Sequence, residues 1–485
     1  MAKGELIIQA PRQGIAPSPH VGFGDVRNLD IDTIPGITRL NNILAKKSAS
    51  TVDAQVWWFA QDPNIAANYY ALDSNGVVYN STDSGATWAE LADRDGAGQG
   101  MVIWKDYLFV AETTTIDVFG PLSSSPTWTN NWQTITTDAL WHPMIVSKND
   151  GNLYGGAGRF IFSVAEVTTF DPASAPTYTF TAQALDLPTN YRIKCLAELG
   201  NNLMIGTWRG TNVYDFRIAD IFPWDRSASS FGQPVQIEEN GVHALLNADN
   251  LLIVLAGING TIYASDGVNA RIIGQLPTDL SGGKYLEFFP GGITKYKNKI
   301  FFGVGQGGTT AIAGMGVYSL SRTANGSIVN LEHLISTLSD GSTNPLKPTA
   351  LLPVTRDTLL VSWRDNATYG IDLTTATSYA YTTDYSGYFE SPLYVVGSVN
   401  DKRTFVEIDM QFAKELASGE GIRIKYRENL TDSFTTQGTY TFAALGAIMS
   451  HHVLAGIPPV ETLQVRAELL GSSTTTPQLK SITLR

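Results

Sequence analysis

The chain has 485 residues, of which 43% are hydrophobic and 16% charged, a composition typical of a well-packed globular protein rather than a disordered one. Acidic residues outnumber basic ones by 45 to 33, and the net charge of −12 argues against a protein that grips nucleic-acid phosphates through a basic surface. A single cysteine, Cys195, excludes an intramolecular disulfide, and no run approaches the roughly 20 apolar residues of a membrane-spanning helix.

Residues 1–50 predict an extended N-terminal arm. Prolines and glycines between Pro11 and Gly22 interrupt any regular element, and the short alternating run from Val26 to Asp30 favours pairing with the edge of a sheet. The first residues carry no cleavage-type signal, so we expect synthesis in the cytoplasm.

Residues 51–389 predict an all-β domain, a β-propeller of about seven blades. Seven times a short apolar run is followed by a turn former and a second apolar run, at intervals of about 38 to 59 residues that bracket the ~40 to 50 of one four-stranded blade. The seven pairs are 68–72 with 76–79, 107–111 with 116–119, 152–156 with 160–164, 202–206 with 212–216, 251–255 with 260–263, 299–303 with 316–320, and 358–362 with 369–373. The runs 180–185 and 235–237 alternate as outer strands should.

Residues 390–485 predict a C-terminal β-sandwich. Seven shorter alternating runs occur there, at 392–396, 405–410, 422–426, 440–442, 452–454, 463–469 and 479–484. Strict alternation places one face of each strand in a core and the other in water. We therefore expect Lys425, Arg427, Arg466 and Glu468 on a solvated face.

The most specific local motif is an Asp-box, formed by Ser81, Asp83, Gly85, Thr87 and Trp88. The spacing predicts that the aspartate accepts backbone N–H groups across a hairpin turn, that the glycine takes a positive φ and that the tryptophan packs beneath the turn. The interpretation is structural. Because such boxes recur in sialidase-like propellers, a glycoside hydrolase is an alternative, but the box occurs once and no paired acid and nucleophile is evident, so no catalytic residue is assigned.

Neither a metal nor a cofactor is predicted. None of the six histidines has a ligand spacing; they are His20, His142, His243, His333, His451 and His452. The segment Gly303–Gly308 matches Gly-x-Gly-x-x-Gly, but the residues after it read as a hairpin loop and not as the helix that a dinucleotide site needs. Cys195 lies in an alternating run and is interpreted as a small core residue.

The order of the parts resembles the tail nozzle or hub proteins of tailed bacteriophages. The resemblance rests on the leader strings at 14–19 and 28–40, the propeller, and a sandwich that opens with Glu390-Ser-Pro-Leu and closes with Pro477-Gln-Leu-Lys-Ser-Ile-Thr-Leu. It implies a structural protein of the virion tail with no catalytic activity, made in the host cytoplasm, that assembles as a homohexameric ring below the portal and adaptor. It also implies contacts with other tail proteins and a tube for DNA ejection, which DNA passes without specific binding.

A ring built from head-to-tail contacts would suit an arm that adds a strand to a neighbouring subunit, which is our hypothesis for residues 1–50. Two alternatives remain open. A tail adhesin that binds a glycan or receptor should present exposed aromatic residues at one end of the propeller. An Asp-box glycoside hydrolase should cleave fluorogenic glycosides.

Overall fold

The structure is a computed structural model that describes residues 5–9, 11, 25–34, 36–46, 52–94, 96–135, 141–174, 177–210, 217–227, 229–276, 285–307, 315–323, 326–334, 346–365, 368–374, 378–379, 387–441 and 449–485. Every regular element in these ranges is a β-strand, so the protein is all-β as predicted.

The first nineteen strands run from the N-terminus to the fourth blade of the propeller. They are β1 (Leu6–Gln9), β2 (Asp25–Arg27), β3 (Leu29–Asp30), β4 (Arg39–Leu40), β5 (Leu44–Lys46), β6 (Val56–Gln61), β7 (Tyr69–Asp73), β8 (Val77–Ser81), β9 (Ala89–Asp93), β10 (Gly100–Trp104), β11 (Tyr107–Ala111), β12 (Thr115–Gly120), β13 (Thr127–Thr134), β14 (Met144–Val146), β15 (Leu153–Ala157), β16 (Phe160–Glu166), β17 (Tyr178–Asp186), β18 (Tyr191–Leu199) and β19 (Asn202–Arg209).

The remaining strands complete the propeller and the C-terminal part. They are β20 (Ala219–Trp224), β21 (Val235–Ile237), β22 (Val242–Ala248), β23 (Leu251–Ala256), β24 (Thr261–Ser265), β25 (Ala270–Gln275), β26 (Tyr285–Glu287), β27 (Ile293–Tyr296), β28 (Lys299–Gly307), β29 (Gly316–Thr323), β30 (Gly326–Leu334), β31 (Leu346–Pro353), β32 (Leu359–Asp365), β33 (Thr368–Thr374), β34 (Gly387–Glu390), β35 (Tyr394–Val395), β36 (Arg403–Phe412), β37 (Gly421–Arg427), β38 (Thr435–Thr441), β39 (Met449–Val460), β40 (Thr462–Leu470) and β41 (Leu479–Leu484).

The chain divides into two compact units. The sandwich unit comprises Met1–Ala45, Gly316–Gly341 and Thr374–Arg485, and the propeller unit comprises Lys46–Met315 and Ser342–Leu373. Both units are therefore discontinuous in sequence, whereas the sequence analysis expected three consecutive segments. The boundaries near residues 50 and 389 stay a prediction.

Among the described residues, the propeller unit contains seven antiparallel groups of strands, which are its blades. Blades 1 to 5 are four-stranded and consecutive: β6–β9, β10–β13, β14–β17, β18–β21 and β22–β25. Blade 6 contains β26 and β27, which both pair with β28, and blade 7 contains β31, β32 and β33. The innermost strands β6, β10, β14, β18, β22, β27 and β31 contact one another in sequence, and β31 contacts β6, so that the ring of seven is closed.

Apolar faces on both sides of each blade explain why the blades stack. Between blades 2 and 3, for example, Phe109, Trp132, Phe162 and Phe170 are all buried in one cluster. Phe109 and Trp132 meet edge to face at 5.4 Å, a favourable arrangement of aromatic rings. A blade cannot bury two such faces alone, and packing against its neighbours provides the cover.

The predicted strand pairs correspond to the middle strands of the blades. The runs that begin at residues 68, 107, 152, 251 and 358 and their partners overlap β7/β8, β11/β12, β15/β16, β23/β24 and β32/β33. The predicted outer runs 180–185 and 235–237 lie in β17 and β21. The run 212–216 lies outside the described residues, and 316–320 lies in β29, which belongs to the sandwich unit.

The glycine-rich segment that begins at Gly303 serves close packing. Gly303–Gly307 lie in the buried strand β28, so the first part of the motif is strand. A Cβ at Gly303 would lie 2.6 Å from the carbonyl oxygen of Pro348 in β31, closer than any side chain tolerates. Glycine at this position therefore lets blades 6 and 7 approach.

The sandwich unit packs two sheets around one core. One sheet has the order β1-β41-β36-β39, and the other runs β29-β30-β2-β34-β40-β37-β38, with β35 beside β40. The seven alternating runs predicted between 390 and 485 overlap β35 to β41. Inward-facing side chains of both sheets are fully buried, among them Ile8, Phe389, Ile408, Ile424 and Ile482.

The N-terminal strands pair within the same chain. Leu6 lies opposite Leu484 in β41, and Glu5 forms an ion pair with Arg485 at 2.7 Å. Strand β2 pairs with β34, where Val26 lies opposite Phe389. The expected pairing with a sheet edge is therefore present, while addition of a strand to a neighbouring subunit stays a hypothesis.

The expected solvated face of the sandwich is partly covered, and for Glu468 the prediction is wrong. Glu468 is only 4% exposed and forms ion pairs with Arg423 at 3.2 Å and with Lys425 at 2.6 Å. Glu390 is also buried and pairs with Arg427 at 3.4 Å. Long cationic side chains from the next strands lie over the carboxylates, so alternation alone overstates their exposure.

Candidate functional site at the propeller axis

Among the innermost strands, β6, β18, β22 and β31 carry register shifts, and in the first three the extra residue has a large polar or aromatic side chain. The register shifts in β6 between Val56 and Trp58, in β18 between Ile193 and Cys195, and in β22 between Val242 and Ala244. The bulged residues are Trp57, Lys194 and His243. A bulge re-aims one side chain without ending the strand, and bulges are frequent next to functional sites.

Lys194 and His243 form the polar centre of this group. Nζ of Lys194 lies 2.7 Å from Nδ1 of His243. An ammonium group can only donate, so Nδ1 accepts and the neutral imidazole carries its proton on Nε2. The two bulges bring a cation and an imidazole from adjacent blades into direct contact.

Burial shifts the pKa values of both Lys194 and His243. It lowers the pKa of Lys194 to about 8, against the opposing field of Glu287, because a buried ammonium loses its hydration. Burial and the charge of Lys194 together lower the pKa of His243 well below its usual 6.5. At pH 7 the lysine is therefore charged and the histidine neutral.

Aromatic rings line one side of the polar centre. Nζ of Lys194 lies 5.7 Å from the ring centre of Trp141, within range of a cation–π interaction. Trp141 stacks on Trp57 with ring centres 4.3 Å apart and contacts Phe289 at 6.3 Å. Five blades thus contribute to one cluster, which we call the axial cluster: Trp57, Trp141, Lys194, His243 and Phe289.

An ion pair lies within electrostatic range of the axial cluster. Nζ of Lys347 in β31 contacts Oε2 of Glu287 in β26 at 2.6 Å. The negative charge of Glu287 raises the pKa of Lys194, but the direct contact of this carboxylate is with Lys347. Lys194, Lys347 and Glu287 together carry one net positive charge at neutral pH.

His142 is buried between blades 2 and 3, and its contacts indicate a structural role. Its Nδ1 lies 2.9 Å from the carbonyl oxygen of Gly156, and its Nε2 lies 3.4 Å from that of Thr113. Burial lowers the pKa of His142, although both carbonyls act in the opposite direction. The neutral imidazole has a single N–H, so it donates to only one of these two carbonyls, and the shorter distance favours Gly156.

The Asp-box residues come together in the turn between β8 and β9. Asp83 accepts from the backbone N–H of Thr87 at 2.8 Å, from the hydroxyl of Thr87 at 2.6 Å and from the hydroxyl of Ser81 at 2.8 Å. The backbone N–H of Gly85 donates to the hydroxyl of Ser81 at 2.9 Å. These bonds satisfy the polar groups of the turn among themselves.

Backbone conformation and packing complete the Asp-box. Gly85 has a φ of +82°, and a Cβ there would lie 2.8 Å from Cδ2 of Leu360 in blade 7. Trp88 is buried, donates from Nε1 to the carbonyl of Gly85 at 3.2 Å and packs against Phe59 at 5.9 Å. Hydrogen bonds outweigh desolvation and lower the pKa of Asp83, which keeps the carboxylate ionised as an acceptor. The geometry is that of a turn and not of an acid catalyst.

The described ranges contain no group of three or more His, Cys, Asp or Glu side chains placed to hold a metal ion. Of the six histidines, His142 and His243 are buried in the propeller unit, and His20 lies outside the described residues. Cys195 is buried beside the carbonyl of Val242, and burial raises the pKa of its thiol. Within the part of the chain that the structure describes, no helix is long and apolar enough to cross a membrane.

Sequence reasoning missed the axial cluster. Lys194 stands between Ile193 and Cys195 in a run that reads as a regular half-buried strand with the lysine in water. The one signal of the cluster in the sequence is His243, a histidine within the apolar run that begins at Val242. Bulges depend on pairing between strands, which the pattern along one strand does not encode.

No protein-family model and no curated protein matches the sequence. Among solved structures, the chain is similar to the computationally designed protein Ika8, with 15% identity over 67% of this chain and 99% of that one and a TM-score of 0.39. It is also similar to YCF48 bound to D1 peptide, with 11% identity over 73% and 98% of the two chains and a TM-score of 0.45. An exo-β-1,3-galactanase from Phanerochaete chrysosporium has 8% identity over 92% and 100% and a TM-score of 0.33.

Proposed function

We propose that the protein is a structural component of a tailed-phage virion, a ring-forming subunit of the tail nozzle or hub that builds the DNA conduit below the portal and adaptor. The observation that carries this proposal is the layout. A closed propeller is combined with a sandwich whose sheets take strands from both ends of the chain, β1 beside β41 and β2 beside β34. The order of these parts along the chain is the feature in which the sequence resembles nozzle proteins.

Rigidity supports a structural role. The propeller closes through its innermost strands, and the ends of the chain are held by backbone pairing on the sandwich sheets. A subunit that repeats around an axis needs such fixed geometry, because a head-to-tail contact closes a ring only at a defined rotation.

The charge of the chain suits a conduit. With a net charge of −12, the subunit does not offer the basic footprint that holds DNA phosphates, so DNA would pass without specific binding. An acidic lumen would repel the phosphates and a neutral one would not attract them, so a moving polymer would not adhere. The proposal includes contacts with other tail proteins and no enzymatic activity.

The alternative of an adhesin predicts a patch of exposed aromatic residues. Among the described residues, the large apolar side chains with high exposure are aliphatic: Ile7, Ile34, Ile65, Val167, Ile218, Val268, Ile272, Val395, Val399 and Val406. They do not favour the adhesin over the nozzle. The turn geometry of the Asp-box likewise gives no specific support to a glycoside hydrolase.

Sedimentation of the purified protein tests the proposal. We expect a dominant species of roughly six times the 52.5 kDa of one chain, at micromolar concentration or after addition of tail proteins. The same preparation, incubated with fluorogenic sialosides and other glycosides, should release no fluorophore. A monomer under all these conditions, or turnover that Asp83→Ala abolishes, would contradict the proposal.

A further inference from the structure

We propose that the axial cluster of the propeller is a binding site for a small carboxylate carried on an aromatic or apolar group. The carboxylate would accept hydrogen bonds from Lys194, and the apolar group would lie against Trp57 and Trp141. This site is independent of the proposed role in a tail.

The first step is the pairing of Lys194. A charge that loses much of its hydration is normally matched by an opposite charge, yet the half-buried Lys194 contacts the neutral imidazole of His243 at 2.7 Å. The carboxylate of Glu287 contacts Lys347 instead. An ammonium has three donors, and the imidazole takes one of them, so two N–H groups are available to an anion.

The second step is access. Lys194 and Trp57 lie on innermost strands of a closed propeller, but both side chains keep part of their surface exposed, as does Glu287. His243 and Trp141, by contrast, are buried. The exposed parts of Lys194 and Trp57 are where the proposed ligand would enter from solvent.

The third step is the apolar wall. The partly exposed ring of Trp57 offers an apolar surface, and the buried rings of Trp141 and Phe289 pack behind it. In addition, the buried Nε1 of Trp57 has no hydrogen-bond acceptor among the described residues. Buried donors are nearly always paired, so this indole N–H is a further donor that an oxygen of a ligand at Trp57 would satisfy.

The fourth step is charge balance. One monovalent anion would neutralise the single net positive charge of Lys194, Lys347 and Glu287. The groups around Lys194 from the neighbouring elements are His243, Glu287, Lys347 and Cys195, and burial holds the histidine and the thiol neutral at pH 7. Because binding requires the protonated lysine, affinity should fall as the pH rises above about 8.

Isothermal titration of the full chain with benzoate tests the site, with the neutral analogue benzamide as ligand control. We expect saturable binding of benzoate at pH 7, at least about tenfold weaker binding at pH 9.5, and no saturable binding of benzamide. Lys194→Met should weaken benzoate binding at least about tenfold, whereas Lys194→Arg should keep part of it. The matched control Lys295→Met, which removes an exposed lysine of blade 6, should bind as the wild type does.

Three results would overturn the inference. The first is absence of saturable benzoate binding by folded wild-type protein. The second is equal binding of benzoate and benzamide, and the third is unchanged benzoate affinity in Lys194→Met. If Lys194→Met does not fold, the pH series on the wild type decides, because constant affinity between pH 7 and 9.5 excludes a role for this ammonium.

Discussion

The hydroxyl of Ser362 in β32 donates a hydrogen bond to the carbonyl of Val56 in β6 at 2.9 Å and so joins the last blade of the propeller to the first. The same oxygen accepts from the backbone N–H of Ala350 at 2.8 Å and lies 2.9 Å from the hydroxyl of Thr349. All of these groups are buried. The closure of the ring thus depends on polar contacts in addition to apolar packing.

Ser362→Ala should destabilise the propeller by about 1–3 kcal/mol, since it leaves a buried N–H without its acceptor. Urea unfolding followed by tryptophan fluorescence measures this change. Thr355→Ala, which removes an exposed hydroxyl that contacts Thr358 at 2.7 Å, is the matched control and should change stability by less than about 0.5 kcal/mol. Equal losses of stability in the two variants would show that the hydrogen bonds of Ser362 do not contribute to closure of the ring.

Arg94 links blades 1 and 2, and its substitution should destabilise the propeller more than that of most other cations. Its Nε donates to Asp117 at 2.7 Å, its Nη2 donates to Asn130 at 2.7 Å, and its guanidinium stacks on Trp128 at 4.4 Å. Arg94 and Asp117 are both buried, with side chains 9% and 3% exposed. Arg94→Met should cost about 3–5 kcal/mol, because it leaves a buried carboxylate unpaired.

Two further variants test this explanation. The double variant Arg94→Met/Asp117→Asn should recover part of the lost stability, since it removes the unpaired charge as well. Lys295→Met breaks an ion pair with Asp249 whose side chains are 47% and 75% exposed, and it should cost less than about 1 kcal/mol. If Lys295→Met lowered the free energy of unfolding as much as Arg94→Met does, burial of the ion pair would not explain the sensitivity of Arg94.

Gly85 in the Asp-box should tolerate alanine less well than Gly151. Both have positive φ, +82° and +75°, and so both substitutions carry a backbone cost of about 1–2 kcal/mol. A Cβ at Gly151 would meet no atom within 4 Å, whereas one at Gly85 would press on Leu360. Thermal unfolding should therefore show a larger decrease for Gly85→Ala, and a decrease no larger than for Gly151→Ala would exclude packing between the box and blade 7.

The stability of the propeller should fall on acidification below pH 6.5, and His243 should account for part of the slope. Its imidazole has a folded-state pKa well below the 6.5 of the unfolded chain, so the unfolded state binds more protons as the pH falls through this range. His243→Gln keeps an acceptor for Lys194 but does not titrate. Melting temperatures measured between pH 7.5 and 5.5 should decline less steeply for this variant than for the wild type.

His142 contributes with the same sign, because burial also lowers its pKa. His243→Gln should therefore reduce the slope without removing it, and the combination with His142→Gln should reduce it further. Carboxylates titrate in all of these proteins alike and cancel in the comparison. Parallel declines for wild type and both variants would contradict the assignment.

Much of the fold follows from the sequence, because apolar runs with period two and turn formers between them specify strands locally. The pairs 68–72 with 76–79 and 107–111 with 116–119 overlap the central strands of their blades, and the run 463–469 lies within β40. The Asp-box turn could likewise be predicted down to the positive φ of Gly85, since its hydrogen bonds connect residues a few positions apart.

The axial cluster could not be predicted, because its residues meet only after the ring closes. Trp57 and Trp141 are far apart in sequence and stack at 4.3 Å. Lys194 and His243 leave the alternation of their strands at bulges that only pairing with the next strand reveals. The burial of Glu468 has a similar origin, since cations on the adjacent strand lie over it.

Electron microscopy of the purified protein tests the central claim most directly. Two-dimensional class averages of negatively stained particles, alone and with tail proteins, should show closed rings with six-fold symmetry, each subunit containing a propeller and a sandwich. Particles that remain single subunits in both preparations, across the concentration range used for sedimentation, would contradict the account of this chain as a ring-forming tail component.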